Sequence, residues 1–196
     1  MPKVRTCFIA LIAVVVLAPA TAVAEGKRKP RPKPAAVPAQ AAEECVDADL
    51  EPDADNIPRI RAAIVCLHNQ IRAEKGLPTL RQAARLRTAA VGHARDMVDD
   101  RYFEHTTPAG RTMVDRIVRA RYVREDQGWM LGENLAWGTG SLSTPRGAVQ
   151  SWMDSPGHRA NMLKRGFRDI GVGVVLGVPV SDAAGATYTV DFGVRR

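Results

Sequence analysis

The order of patterns along the chain predicts an α+β domain built on one small sheet. Three observations carry that expectation. Segments whose apolar residues recur three and four apart come first, and segments of strict alternation come later. The roughly 150 residues that follow the N-terminal region are enough for one hydrophobic core and too few for two.

Ahead of the domain, Lys3 and Arg5 precede an apolar run from Phe8 to Leu17, Pro19 breaks it, and Ala22-Val23-Ala24 offers small residues to a signal peptidase. The run is too short for a stable bilayer span, so residues 1–24 are expected to be a secretory signal cleaved after Ala24, leaving no transmembrane anchor. Cys7 lies before the apolar run, which argues against a lipoprotein. Of 28 basic residues, cleavage removes Lys3 and Arg5 and no acid, leaving 26 against 21 acidic ones. The excess is concentrated in residues 25–44, a Pro- and Ala-rich linker in which prolines separate Lys27, Arg28, Lys29, Arg31 and Lys33. Such a segment is expected to be extended. On an exported protein, whether periplasmic or extracellular, Lys27 to Lys33 point to an anionic envelope polymer or lipid headgroups as partner, or to a solvated spacer; nucleic acid is less accessible and is not expected. Cys45 and Cys66 survive cleavage, and an even pair in an exported chain predicts a disulfide.

The domain is expected over 45–196. Ile57, Ile60, Ile64, Leu67 and Ile71 share one face of a first helix, with Asn56 as its cap, Pro58 in its first turn and Gly76 as its stop. Thr79-Leu80-Arg81-Gln82 has the form of a capping box opening a second helix, whose stripe includes Leu86, Ala90, Ala94 and Met97. His68 and His93 within these helices read as packing or surface residues, not ligands. Thr112 and Asp115 begin a third helix. Leu131, Glu133, Leu135 and Trp137 then alternate with Gly132, Asn134, Ala136 and Gly138 as a strand. That puts a carboxylate among apolar side chains, where it needs a partner or a proton. Thr144-Pro145 and Ser155-Pro156 each have the cap-then-proline form of a helix start. Two alternating segments, Ile170 to Leu176 and Tyr188 to Val194, are expected to pair antiparallel across a turn-rich 178–185 connection. The glycines of the first of them leave room for a helix to lie very close.

His105, Glu133 and His158 stand out chemically. Two imidazoles and a carboxylate form the ligand set of many zinc sites that keep a position open. His158 falls in the first turn of its helix, where the dipole disfavours an imidazolium. The same three residues also suit a buried Glu–His hydrogen-bond network that ties loops to the sheet, and spacing alone does not choose between the two.

Several motifs carry a family resemblance: Asn69-x-x-Arg72 with Gly76-Leu77-x-x-Leu80, Phe103-x-His105-x-x-Pro108, Gly132-Glu133-Asn134-Leu135-Ala136, Trp152-Met153-x-Ser155-Pro156-Gly157-His158-Arg159-x-Asn161-Met162-Leu163, and Ile170-Gly171-Val172-Gly173. In this order they resemble the CAP superfamily of cysteine-rich secretory, antigen 5 and pathogenesis-related proteins, in its compact bacterial form with an SCP-like extracellular domain. The resemblance implies an α-β-α sandwich with a small central antiparallel sheet flanked by helices, and a cleft lined by His105, Glu133 and His158. Eukaryotic members usually carry a second glutamate where this chain has Ser155, with Asp154 beside it, so these two join the candidate cleft residues. A divalent metal, zinc above others, is the cofactor the resemblance implies, with His105, His158 and Glu133 as ligands. Lipid and sterol binding within the family implies a small apolar ligand. The expected function is a non-enzymatic ligand- or metal-binding module acting at or outside the envelope. The alternative is a metal-assisted, peptidase-like hydrolase in which His105, Glu133 and His158 are catalytic. Ser155 as a nucleophile lacks both a Gly-x-Ser-x-Gly elbow and an orienting acid.

Overall fold

The computed structural model describes residues 44–124 and 126–195, so the expected signal segment and residues 25–43 of the expected linker lie outside the described residues. Helix α1 (Ile57–Glu74) begins at Asn56 and is stopped at Gly76, whose φ is +61°. Asn56 does not cap it. Its side chain turns back to accept from the Asp53 amide and donate to the Glu51 carbonyl, both at 2.9 Å, closing the preceding turn instead.

The expected capping box at Thr79–Gln82 is not one. Arg81–Gln82 form a short strand, β1, and helix α2 (Ala84–Asp99) starts later from Ala83 with no side-chain cap. Long-range partners explain the difference. The amides of Arg81 and Ala83 donate to the carbonyls of Arg168 and Ile170 at 2.9 Å, and Asn69 takes both the amide and the carbonyl of Leu80. Helix α3 (Met113–Arg119) does open on the capping box its sequence announces. The Thr112 amide donates to Asp115 Oδ2 at 2.8 Å, and the Asp115 amide donates back to Thr112 Oγ1.

Strand β2 (Trp129–Gly138), helix α4 (Pro145–Asp154), helix α5 (Pro156–Met162) and strands β3 (Asp169–Val178) and β4 (Ser181–Arg195) complete the order. Thr144 caps α4 by accepting from the Gly147 amide, whereas Ser155 stands at the start of α5 without capping it. The connection between β3 and β4 is shorter than expected, because β4 resumes at Ser181 and pairs with Val178. The sheet runs β1-β3-β4-β2; β2 and β3 are antiparallel to β4, and β1 is parallel to β3, so the sheet is mixed rather than wholly antiparallel.

The two faces differ in chemistry. Ile170, Val172 and Val174 of β3 and Tyr188, Val190 and Phe192 of β4 pack with Ile60 and Ile64 of α1 and Val149 and Trp152 of α4 in the main core. Residues of the other parity form cross-sheet rows: Glu133–Asp191–Gly171, then Leu135–Thr189–Gly173. This face meets α2. A Cβ on Gly171 or Gly173 would run into α2 backbone, at Gly173 coming within 2.6 Å of the Val91 nitrogen. Glycine here serves helix-to-sheet approach, as the alternation suggested. Helices therefore cover both faces, and the architecture is an α-β-α sandwich.

Two further ties hold the part of the fold that carries the site. Arg72 is fully buried, and its guanidinium donates to the carbonyls of Pro78, Met162, Lys164 and Phe167, joining the end of α1 to the end of α5. Cys45 and Cys66 form the expected disulfide, clipping the N-terminal segment of the domain to α1. A loop of that size gives about 3 kcal/mol on a chain-entropy basis.

Candidate functional site

Glu133 is the centre. Its position on β2 turns the carboxylate toward the α2 side, where it is almost wholly buried, with a side chain 2% exposed. Two partners meet it. Arg116 Nη2 donates to one oxygen at 2.6 Å, and His105 Nδ1 bonds the other at 2.8 Å. Arg116 lies one turn into α3 beyond the Thr112–Asp115 box. Its other terminal nitrogen donates to the carbonyls of His105 and Arg111, so one buried guanidinium holds both the acid and the loop that bears the histidine. His93 anchors that loop from α2. It is buried, its Nε2 donates to the Glu104 carbonyl at 3.0 Å, and the Tyr102 hydroxyl lies 3.4 Å from its Nδ1.

The electrostatics follow from these positions. Burial pushes the Glu133 carboxyl up, but the His105 hydrogen bond and the charge of Arg116 more than offset it, and the group stays below the usual carboxylate value. The same Glu133 bond holds His105 above the ordinary histidine value, although the ring is 56% exposed. Behind Glu133, directly across the strand pair, Asp191 is 1% exposed and its Oδ1 is without a partner. Burial and then the charge of Glu133 raise its carboxyl well above the usual carboxylate range.

His158 is placed through its backbone. Asn134 Nδ2 donates to its carbonyl at 3.0 Å, and Asn161 Nδ2 donates to both the Glu133 carbonyl and Asn134 Oδ1. Partial burial, then the nearby charge of His105, lowers its basicity. Asp154 is exposed and accepts from Gln150, and Ser155 is half-buried; neither is hydrogen-bonded to His105, Glu133 or His158.

As a home for a metal, the three expected ligands do not form a three-ligand set as placed. Both Glu133 oxygens are engaged, one of them by a fixed positive charge. Among the described residues no group of three or more His, Cys, Asp or Glu stands ready to hold an ion. That leaves the two imidazoles as donors, and because Glu133 takes His105 Nδ1, only the Nε2 of that ring is open, as where a carboxylate backs a metal-bound histidine.

Arg116 and Asp191 were not singled out from the sequence, and His93 was read as a packing or surface residue and not as the anchor of the His105 loop. Asp191 carried a signal, because Thr187, Thr189 and Asp191 make a polar row in a strand that is buried on both faces. Arg116 carried none, since an arginine on a short capped helix reads as surface.

Residues 65–191, more than half of the chain, match the CAP model, described as the cysteine-rich secretory protein family. The chain belongs to that family. The matched span contains His105, Arg116, Glu133, His158 and Asp191. An uncharacterized protein of Bacillus subtilis, YkwD, is 35% identical over 112 residues, which cover 57% of this chain and 41% of that one. This CAP chain thus spans less than half the length of that relative. A solved extracellular protein containing an SCP domain, from Bacillus anthracis, is 31% identical with a TM-score of 0.55, covering 71% of this chain and 44% of its own. An outer surface protein of Borrelia burgdorferi shares the fold at 21% identity and a TM-score of 0.61, covering 75% of this chain and all of its own.

Proposed function

We propose that the protein is an exported CAP-domain binding module, not a hydrolase, and that the cleft at His105 and His158 is where it takes its ligand. The observation that carries this reading is the burial of Glu133, 2% exposed, between Arg116 and His105. A general base or a water-activating carboxylate must come within hydrogen-bond reach of the reactant, which a side chain 2% exposed does not offer. Both oxygens of this one are committed, to Arg116 and to His105, and its basicity is depressed. It is suited to fix His105, not to accept a proton from a substrate. The cleft then offers His105, held above the ordinary histidine value, as a donor to a small polar or apolar molecule, and His158, held below it, as an acceptor; zinc would instead take the two rings in their neutral form.

Export is supported by the extracellular and outer-surface descriptions of the solved neighbours and by the apolar N-terminal run. Among the described residues no helix is long and apolar enough to cross a membrane. Lys27 to Lys33 would hold the module near anionic envelope polymer or lipid headgroups. Deleting that segment is expected to abolish sedimentation with anionic vesicles at low salt, and sedimentation that is unchanged would remove the arm's role.

The hydrolase reading keeps one observation in its favour. His105 is pushed up and His158 down, the separation an acid–base pair needs. Calorimetric titration with zinc, paired with turnover of a fluorogenic peptide library, separates the two. The binding module predicts weak zinc association that is lost in His158→Ala, with no turnover in either protein. Turnover that disappears in both His105→Ala and His158→Ala would replace it with the hydrolase.

A further inference from the structure

Positive charge collects around the start of α2. A hollow of about 410 Å³ opens there, and Arg81, Arg85, Tyr122, Asp169 and Arg195 are in its lining. A shallow crevice lined by Arg61 and Arg87 adjoins it, since residues 82–84 belong to both. Asp169 is the one acid in the combined lining. It is 6% exposed and its two oxygens are taken, by Arg81 Nη2 at 3.1 Å and by the Tyr122 hydroxyl at 2.7 Å. Arg61, Arg85, Arg87 and Arg195 form no ion pair among the described residues. Arg85 donates to the Arg121 carbonyl at 2.5 Å and Arg195 lies over the Tyr122 ring, so neither charge is neutralised. Burial, then the charge of Arg87, holds the Arg61 guanidinium below its usual value. Past Arg85 the surface continues through Arg121, Arg124 and Asp126, again with more positive than negative charge among the described residues.

Two of these arginines work against their own helix. Arg85 and Arg87 lie in and just past the first turn of α2, where the dipole favours an acid and disfavours a cation. That turn holds no acid, and Ala83 supplies no side-chain cap. Both arginines are exposed, so packing does not offset the cost. A bound oxyanion would, because guanidinium groups beside a helix start are a donor set that phosphate groups take.

The lining also narrows the partner. The exposed large apolar residues Val46, Trp137, Leu142, Leu176 and Val180 all lie outside it, so it presents no wedge to a bilayer. Its one aromatic ring, Tyr122, is 3% exposed and sits under Arg195, so it gives a nucleic-acid base nothing to stack on. What fits is a run of phosphates on repeats that are neither lipid nor base.

We infer that the surface at the start of α2 docks a phosphodiester polymer with sugar or polyol repeats, held by Arg61, Arg85, Arg87 and Arg195. The inference rests on the export reading only for where the polymer is met, and it uses none of His105, Glu133 and His158.

The test uses the full chain with Lys27, Arg28, Lys29, Arg31 and Lys33 replaced by glutamine, so that the arm and this surface succeed or fail separately. Fluorescence anisotropy of a labelled glycerol-phosphate oligomer is expected to show binding whose log K falls against log salt with a slope of about −3, four charges at about 0.7 each. Arg85→Gln with Arg87→Gln should weaken binding about tenfold and flatten that slope to about −1.4. The same pair should keep or raise the thermal midpoint, since it removes cations from the wrong end of a helix. Arg95→Gln with Arg101→Gln removes the same charge toward and beyond the other end of α2, and should change affinity by less than about twofold. No binding, equal binding of polyglutamate, tighter binding of a single-stranded oligonucleotide or of phosphatidylglycerol vesicles, or an equal loss in the two double variants would each overturn the assignment.

Discussion

Glu133→Ala is expected to lower the free energy of unfolding by about 3–5 kcal/mol at neutral pH, the cost of stranding a buried charge by removing its partner. The stranded group is Arg116, 9% exposed, which would keep its carbonyl acceptors but lose the one acid it pairs with among the described residues. His105 loses its side-chain bond to Glu133 at the same time, and the loop from Tyr102 to Gly110 loses one of its ties to the sheet. Replacing both charges, as in Glu133→Ala with Arg116→Met, should cost less than Glu133→Ala alone, because no uncompensated ion is left inside. Urea denaturation of the two variants measures this. A single-variant loss below about 1 kcal/mol, the worth of an exposed pair, would mean the ion pair is solvated and the site is not built as described.

The second large effect is expected at Gly173. A methyl group there would overlap the backbone of Ala90 and Val91, and neither a helix nor a central strand can yield locally. Gly173→Ala should therefore separate α2 from β3 and cost about 3 kcal/mol, at the upper end of overpacking changes. The denaturation midpoint reads it directly. An unchanged midpoint would show that α2 sits farther from the sheet than its close approach implies. Because α2 carries His93, and His93 holds the Glu104 carbonyl next to His105, the same change should also loosen the cleft.

These two positions show what a sequence of this kind makes legible. Gly171 and Gly173 stood out because alternation fixes which face a strand residue takes, and only a close neighbour gives glycine a purpose there. The cysteine pair was readable from compartment and count. The strands β2, β3 and β4 were readable from period, the first two with ends a few residues beyond their alternating cores, whereas β4 begins at Ser181, inside the segment expected to be a connection. Strand β1 was not. Its two residues are extended only because Asp169 and Ile170 lie beside them, 88 positions later, and a local capping pattern reads the other way. The site was legible in part for a similar reason. The apolar company of Glu133 demanded a partner, but nothing local chose between a histidine, a proton and an arginine. The structure answers with two of them, His105 and Arg116 on Glu133 itself, while the Asp191 carboxyl behind it is the one pushed up by burial.

The pH behaviour of the pair follows in sign. Glu133 titrates below its ordinary value in the folded protein, so its contribution is present above that value and is lost as pH falls through the depressed one. His105 titrates above its ordinary value, so its contribution is full at low pH and is lost as pH rises through the elevated one. The hydrogen-bonded ion pair is therefore strongest between those two limits.

The central claim is that Glu133 acts on His105, holding the ring rather than serving a ligand or substrate. Titration of the His105 imidazole by NMR, in the unmodified protein and in Glu133→Gln, tests it most directly. The account predicts a midpoint above the ordinary 6.5 in the unmodified protein and a clear fall in the variant. A midpoint at or below 6.5, or one that does not move when the charge is removed, would contradict it.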